Sequence, residues 1–426
     1  MLEAVARAAE IPPRVVRVHG ALAMVGRVFL LATIPLSLIW LPVGRIPGAG
    51  NLAAGDVAQI GLWVVTLAAL FLHGRFDVGL RAPMVAVLGL ALASLAGIAG
   101  QFSGVRDAAG LEFMLLMKRF VLSAIVPLSA VLFGSPAMCR WTRALTALMV
   151  GVLVALTLDP SLQAWLPRPG DYDADIFASE QRATGSVTNP NDLAYAAAAL
   201  FILHAAFSPR RPGAVDRALL LAVLSGSLTC IVSSGSRSGV IGVTGAVVFL
   251  VLTSAVPPTK KMGLLLAASI AAGAGLTYST VLQQRITSAY SEGVREKNIS
   301  SRLDGQWLAM RVAVVHPFGV GYGGISRATS RESSILEYGT SDSVYLDTLL
   351  GAGFLGLFCL LALFWTGWRH IGRSRAPGDL RAHLLKSGVV AFLLFGTATV
   401  VPISVFLSPL FFNIVGAAAY PDEHDR

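Results

Sequence analysis

Long apolar runs separated by short polar connections dominate the chain. Runs close to 20 residues recur from residue 21 to residue 420, and a helix needs about 20 apolar residues to cross roughly 30 Å of hydrocarbon. The pattern therefore predicts an all-α polytopic membrane protein, with residues 1–426 forming one integral domain. Twelve spans are predicted: 21–42, 56–73, 82–99, 113–134, 142–158, 192–208, 218–235, 238–256, 262–282, 342–365, 386–401 and 404–420.

Both ends of the chain affect this topology. Pro402 divides the last apolar stretch into two short spans, but one tilted or kinked helix also fits and would reduce the number to eleven. The span that follows the first twenty residues is too long for the apolar region of a signal peptide, so no cleaved leader is expected.

Composition excludes a soluble protein. The chain is 55% hydrophobic and 13% charged, with a mean hydropathy of +0.69, whereas soluble domains are roughly one-quarter charged. The net charge of +9 could suggest nucleic acid, but basic residues recur in the short loops at every second connection, which is typical of cytoplasmic loops. We therefore expect both termini in the cytoplasm and no nucleic-acid partner.

The three cysteines predict neither a disulfide framework nor a metal site. Cys139 falls in a predicted cytoplasmic loop, and Cys230 and Cys359 fall inside spans, where they would be packing residues. No metal and no cofactor is predicted.

Two predicted outward segments are large, residues 159–191 and 283–341. The second carries seven Arg or Lys residues, Trp307, His316 and a glycine cluster. Long exported loops escape the charge rule, so this basic loop is compatible with an outward location. In a chain otherwise built from membrane helices, chemistry at the membrane surface is expected there.

Residues 301–316 of this loop predict a helix. Ser301 to Asp304 has the spacing of a capping box, and Pro317 would end the helix. Helical spacing puts Arg302 on one narrow face of this helix. Its guanidinium is either solvated or held over the small residues of that face at a functional site. The residues of that face are Arg302, Gln306, Ala309 and Ala313, whereas Leu303, Trp307, Met310 and Val314 form a second face that lies against either the bilayer or the bundle.

The next residues, Pro317 to Gly324, include Tyr322 and four glycines. Successive glycine N–H groups can form an anion-holding nest, which would suit a phosphate, but glycine content alone favours a flexible turn. No strand precedes them, so a dinucleotide-binding fingerprint is excluded.

Polar residues also mark the outer ends of several spans. Asn189 and Asn191 precede or begin span six, where an Asn side chain can cap the helix with Pro190 in its first turn. The same amides suit sugar hydroxyls, and the two roles can coexist. Lys118 and Arg119 lie about two turns into span four, where they either reach the headgroups or bind a lipid diphosphate.

Arg237 lies in the tight hairpin between spans seven and eight, at the outer rim of the bundle. It either extends to the headgroups or is held within the bundle, where an ionisable residue is a functional candidate. Asp342 and Tyr345 begin span ten, three residues apart on one helical face. Asp342 is either a helix cap or a carboxylate that orients or deprotonates an acceptor hydroxyl.

Four stretches together resemble the bacterial O-antigen ligase and polysaccharide polymerase superfamily. They occur in order over roughly residues 180–360, and the large outward loop between spans nine and ten fits the same family. The stretches are Arg182 to Asn191, Ser234 to Gly239, Arg302 through Trp307 to Gly323, and Asp342 to Leu346 followed by Gly351 to Gly356.

The resemblance implies a GT-C-like, metal-independent glycosyltransferase in the bacterial plasma membrane. Such enzymes transfer a glycan from undecaprenyl diphosphate to a hydroxyl of an acceptor glycan or other acceptor at the outer membrane face. By position, Arg237 and Arg302 correspond to the family's functional arginines, which would stabilise the diphosphate leaving group. The other implied substrate-binding residues are Lys118, Arg119, Arg182, Asn189, Asn191, Tyr322 and Tyr345.

One departure from the family favours a polymerase of repeat units over a ligase. Ligases have a histidine just before span ten, but this chain has Ser341, Asp342 and Ser343 there, and His316 lies in a different motif. Asp342 is therefore the first candidate for the acid–base residue and His316 the second.

A ligase that acts on lipid A core is the alternative enzyme, and a secondary transporter is the alternative of another class, although its charges would lie near the bilayer midplane. Membrane lipids surround any such protein, and a polymerase would have a chain-length regulator and a flippase as protein partners.

Overall fold

The computed structural model describes residues 13–39, 41–46, 50–73, 81–102, 118–166, 183–184, 186–187, 189–209, 212–254, 259, 261, 287, 297–321, 343–373, 379–397 and 407–421. Helices make up 84% of these residues, as the hydropathy pattern predicts. They are α1 (Pro13–Leu38), α2 (Ala54–His73), α3 (Arg81–Phe102), α4 (Lys118–Ser123), α5 (Val126–Phe133), α6 (Pro136–Leu158), α7 (Pro190–Ala206), α8 (Ala214–Ser233), α9 (Arg237–Thr253), α10 (Lys297–Val315), α11 (Val344–Arg373), α12 (Leu380–Phe395) and α13 (Leu407–Ala417).

Helices occupy every predicted span except 262–282, which lies outside the described residues. Among the described helices, α1, α2, α6, α8 and α11 contain segments long and apolar enough to cross a membrane. The protein is therefore a helical membrane protein, as predicted. The count of twelve spans and the GT-C class remain predictions.

A short antiparallel hairpin departs from the predicted all-α class. The first predicted span runs to residue 42, but α1 ends at Leu38, and β1 (Pro42–Ile46) then pairs with β2 (Gly50–Ala53). The buried Asp56 carboxylate in the first turn of α2 accepts the Ala53 N–H at 3.0 Å. A carboxylate there is also favoured by the helix dipole.

The fourth predicted span is broken, contrary to prediction. A turn at residues 124–125 separates α4 from α5, and Pro127, which has no N–H to donate, lies in the first turn of α5. The Trp63 indole N–H donates to the Leu122 carbonyl at 2.9 Å. Deeper in the bundle, the Gln59 amide donates to the Ser123 hydroxyl at 2.9 Å. Helix α2 thus supplies hydrogen bonds where the α4–α5 segment is interrupted.

Two more regions bear on the predictions. The described residues of the last apolar stretch form two helices, since α12 ends at Phe395 and α13 begins at Leu407, while Pro402 lies outside the described residues. Cys139 lies in the first turn of α6 rather than in a loop, with its sulfur 3.5 Å from the Arg381 guanidinium. Aromatic rings fill the centre of the bundle between these helices, with Phe392 and Phe411 4.4 Å apart.

Candidate active site at the beginnings of helices α7, α9 and α11

Two stretches that lie more than forty residues apart in the sequence are in contact in the fold. The Ser236 hydroxyl donates to the Asn191 side-chain oxygen at 2.7 Å. Just before them, the Ala183 N–H donates to the Ser233 carbonyl at 3.1 Å. The end of the first outward segment is therefore fixed against the hairpin that carries Arg237.

The hairpin between α8 and α9 owes its shape to glycine and serine. Gly235 has φ of +58°, a left-handed conformation that glycine adopts without steric cost. The Ser234 hydroxyl accepts the Ser236 N–H at 3.2 Å, and the Ser236 hydroxyl caps α9 by accepting the Gly239 N–H at 3.0 Å. Both serines are buried. Arg237, the first residue of α9, is half-buried, so the hairpin holds its backbone in a defined position at the end of the bundle.

Asn189 and Asn191 have distinct roles. Asn189 is the N-cap of α7, as predicted, with its side-chain oxygen accepting the Asn191 N–H at 2.8 Å and Pro190 in the first turn. Asn191 uses its own side-chain oxygen to accept the Ser236 hydroxyl. Capping is thus confirmed for Asn189, and Asn191 joins two helices in a way that the sequence did not indicate.

The beginning of α11 and the end of α12 complete this end of the bundle. The Val344 N–H donates to the Gly396 carbonyl at 2.8 Å, and the Tyr345 hydroxyl donates to the Leu393 carbonyl at 2.7 Å. Phe395 packs against the Tyr195 ring of α7, with centroids 5.2 Å apart. The beginnings of α7 and α11 therefore both lie beside the end of α12, and the beginning of α9 is bonded to that of α7. Each such helix end carries a partial positive charge, which favours an anion.

Asp347 was not singled out from the sequence. It lies in the first turn of α11, is fully buried, and donates its backbone N–H to the Ser343 carbonyl at 2.9 Å. The Asp347 carboxylate is therefore buried close to the beginning of α11. In the sequence, Asp347 stands out only as an acidic residue inside an apolar run. An acidic residue that merely lies at a helix end would show the same pattern.

The His316 to Gly321 segment is a docked turn. The N–H groups of Val320 and Gly321 donate to the carbonyls of Leu350 and Gly351 at 2.7 and 3.1 Å, respectively. These N–H groups are consequently used within the protein, and the predicted anion nest is wrong for this part of the glycine cluster. His316, the second acid–base candidate, is half-buried directly before the turn.

The turn fits into a kink of α11. Gly353 has φ of +69°, and its backbone is so close to the turn that an added Cβ would lie 2.4 Å from the Pro317 carbonyl oxygen. Gly319, with φ of +85°, faces it from the turn, and its added Cβ would lie 2.6 Å from the Gly353 nitrogen. The two glycines permit a backbone contact that fixes the end of the loop helix on α11.

The loop helix α10 includes Ser301, so the predicted capping box is wrong, whereas the end before Pro317 is confirmed. Ala309 and Ala313 are buried, and α10 packs against α11. Residue 302 shares their helical face by spacing. Trp307, Met310 and Val314 are exposed, which excludes the bundle as the partner of that second face.

Several predicted site residues are not placed. Arg182, Tyr322 and Asp342 lie outside the described residues, and only the backbone is described for Lys118, Arg119 and Arg302. Within the described ranges, no group of three or more His, Cys, Asp or Glu side chains is arranged to hold a metal ion.

Part of the chain matches a known family. Residues 220–361 match the family model Wzy_C, described as O-antigen ligase. The matched range contains the Arg237 hairpin, α9, α10, the docked turn and the first half of α11, and it supports the resemblance to the O-antigen ligase-like superfamily. No curated protein matches the chain. Residues 220–361 of this helical membrane protein are thus similar to the O-antigen ligase family.

Proposed function

We propose that this chain is a membrane glycosyltransferase that polymerises undecaprenyl-diphosphate-linked oligosaccharide repeat units. The product would be O-antigen, capsule or exopolysaccharide, formed at the outer face of the bacterial plasma membrane. The observation that carries the proposal is the position of Arg237, at the first residue of α9, beside the beginning of α7 and at the same end of the bundle as the beginning of α11. An anionic diphosphate is favoured at such a place by the helix dipoles and by a guanidinium.

The reaction needs little beyond charge stabilisation and one proton transfer. An acceptor hydroxyl oxygen attacks the anomeric carbon of the donor sugar, and the bond from that carbon to the diphosphate oxygen breaks. Arg237 and Arg302 stabilise the negative charge that develops on the leaving diphosphate. Asp342, or else His316, accepts the hydroxyl proton. No metal ion is required in this scheme.

The remaining residues would bind the two lipid-linked substrates. Lys118, Arg119 and Arg182 bind the second diphosphate or the glycan. The polar side chains hold sugar hydroxyls: they are Asn189, Asn191, Tyr322 and Tyr345. The side-chain oxygens of Asn189 and Asn191 and the Tyr345 hydroxyl already have protein partners, so these three residues would act mainly by shaping the site.

The proposal is tested by reconstituting the purified protein with an undecaprenyl-diphosphate oligosaccharide of one repeat unit. We expect products that grow by whole repeat units and stay attached to the carrier lipid. Monomeric units that remain unchanged, in a preparation shown by size-exclusion chromatography to be folded, would contradict it.

A ligase is the second candidate function, favoured by the description of the matched family. A ligase would move the glycan from the carrier to a separate acceptor such as lipid A core. Including lipid A core in the same reconstitution distinguishes the two: transfer of single units to lipid A without elongation on the carrier supports the ligase.

A further inference from the structure

The exposed side of α10 combines an apolar line and a polar line. Trp307 and Val314 are 70% and 72% exposed and lie seven residues apart, with the exposed Met310 beside them. Asp304 and Arg311, also exposed and seven residues apart, form the neighbouring line. The opposite side already packs on the protein. An apolar line next to a polar line is typical of a helix lying at the surface of a bilayer.

The apolar line continues into an exposed stripe of α11. Phe318 is 81% exposed. The carbonyl of the preceding residue, Pro317, accepts the Phe354 N–H at 3.0 Å. From Phe354 the stripe continues along α11 through Phe358 and Trp365, which are 66% and 61% exposed. Helix α11 is long and apolar enough to cross a membrane, so these side chains face lipid, and Phe318 is continuous with that lipid-facing surface.

The position along α11 places this junction within the hydrocarbon layer. The Arg369 guanidinium lies 5.6 Å from the Trp365 ring, and such aromatic and cationic pairs are typical of the membrane interface. Phe354 precedes Trp365 by eleven residues, which corresponds to roughly 16 Å of helix. Because the hydrocarbon layer is about 30 Å thick, Phe354 and the neighbouring Phe318 still lie within it.

We propose that α10 lies in the leaflet on the side of the predicted outward loop, with Trp307, Met310, Val314 and Phe318 against lipid acyl chains. Asp304 and Arg311 then lie at the headgroups. Residue 302 lies five residues before Trp307, about 7.5 Å along the same helix. The role of Arg302 toward a lipid-linked diphosphate rests on the proposed function, whereas the position of α10 in the leaflet does not.

The test uses a photoreactive benzoylphenylalanine residue, placed singly at positions 307, 314 and 318 of the otherwise unchanged chain. Positions 304 and 311 are matched controls on the same helix. Each protein is irradiated in nanodiscs of phosphatidylethanolamine and phosphatidylglycerol without any glycan, and adducts are identified by mass spectrometry. We expect phospholipid adducts at the first three positions, several-fold more abundant than at the two controls.

A second measurement covers the case in which one of these variants fails to fold. Spin labels at the same five positions, on a chain whose native cysteines are replaced by alanine, report collision with oxygen and with a water-soluble nickel chelate. Oxygen should dominate at 307, 314 and 318. Equal access of the nickel chelate at all five positions, or adducts to protein instead of lipid, overturns the proposal. Because no substrate is present, the result is independent of whether the chain polymerises glycans.

Discussion

At the residue scale, the position of Arg237 depends on its neighbours more than on its own side chain. Gly235 allows the tight turn, Ser236 caps the helix that Arg237 begins, and Asn191 fixes Ser236 from a different helix. A guanidinium held in this way loses less conformational entropy when it binds a diphosphate, since its backbone is already ordered.

Replacing Arg237 with alanine should lower the rate of polymer formation by about a hundredfold or more, the usual effect of losing a group that stabilises developing charge. Lysine should restore only part of the rate, because its ammonium group lacks the planar fork of the guanidinium. The measurement is the rate of elongation in proteoliposomes with matched protein content. Arg217, exposed at the opposite end of α8, is the control position, and R217A should keep the full rate. Equal rates for R237A and R217A would contradict the role of Arg237.

The Asn191–Ser236 hydrogen bond predicts coupled effects on stability. Asn191→Ala and Ser236→Ala should each destabilise the protein by about 1 kcal/mol, and Ser236→Ala somewhat more because it also removes a helix cap. The double variant should lose about 1 kcal/mol less stability than the sum of the two single losses, because both single variants remove the same hydrogen bond. Thermal unfolding of the four proteins in one detergent measures the coupling. Strict additivity would show that the bond contributes nothing.

Features of single residues could be predicted where they depend only on neighbours in the sequence. The cap at Asn189 could be read from an Asn-Pro pair before an apolar run, because capping involves neighbours in sequence. The Asn191–Ser236 bond and the burial of Asp347 could not be read, since both depend on which helices pack together. The Ser301 capping box failed because its spacing also occurs inside a helix.

At the element scale, the contact between the loop and α11 depends on two glycines with positive φ. Gly353→Ala should destabilise the protein by about 1–3 kcal/mol, because alanine strains a left-handed backbone, and its Cβ would also meet the Pro317 carbonyl oxygen. Gly151→Ala is the matched control in α6, where no atom lies within 4 Å of the added Cβ.

This control should be roughly 0.5–1 kcal/mol more stable than the native chain, since alanine favours a helix over glycine. Thermal unfolding in detergent distinguishes the two variants. An unchanged unfolding temperature for Gly353→Ala would mean that the turn and α11 are not held together as described.

The hydropathy pattern predicted the elements well and their interruptions poorly. Long apolar runs identify helices because the bilayer requires satisfied backbone hydrogen bonds. The break between α4 and α5 was missed, because hydropathy averages over the turn and the compensating partner, Trp63, lies on another helix. The hairpin after α1 was missed for a similar reason, as Pro42 to Ile46 is apolar enough to extend the preceding span.

At the scale of the whole molecule, the helical bundle and the loop helix α10 have different roles in the proposed site. The described helices hold Arg237 and the beginnings of α7, α9 and α11 at one end. Helix α10, fixed to α11 through the docked turn, would bring Arg302 to the same side along the membrane surface. The family resemblance was readable because its motifs occur in order, but their meeting in space required the fold.

The predicted orientation can be tested directly. With both termini in the cytoplasm, green fluorescent protein fused after residue 426 should fluoresce, and alkaline phosphatase fused there should be inactive. Alkaline phosphatase inserted within residues 283–341 should be active. The reverse pattern would place the loop in the cytoplasm and remove its access to an outer-face substrate.

The most direct test of the account is an experimental structure of the protein in a nanodisc with bound undecaprenyl diphosphate. We predict the diphosphate at the beginnings of α7, α9 and α11, in contact with the guanidinium groups of both Arg237 and Arg302, and with its isoprenoid chain reaching the outer leaflet. A diphosphate bound elsewhere, or two arginines too far apart to contact one diphosphate, would contradict the account.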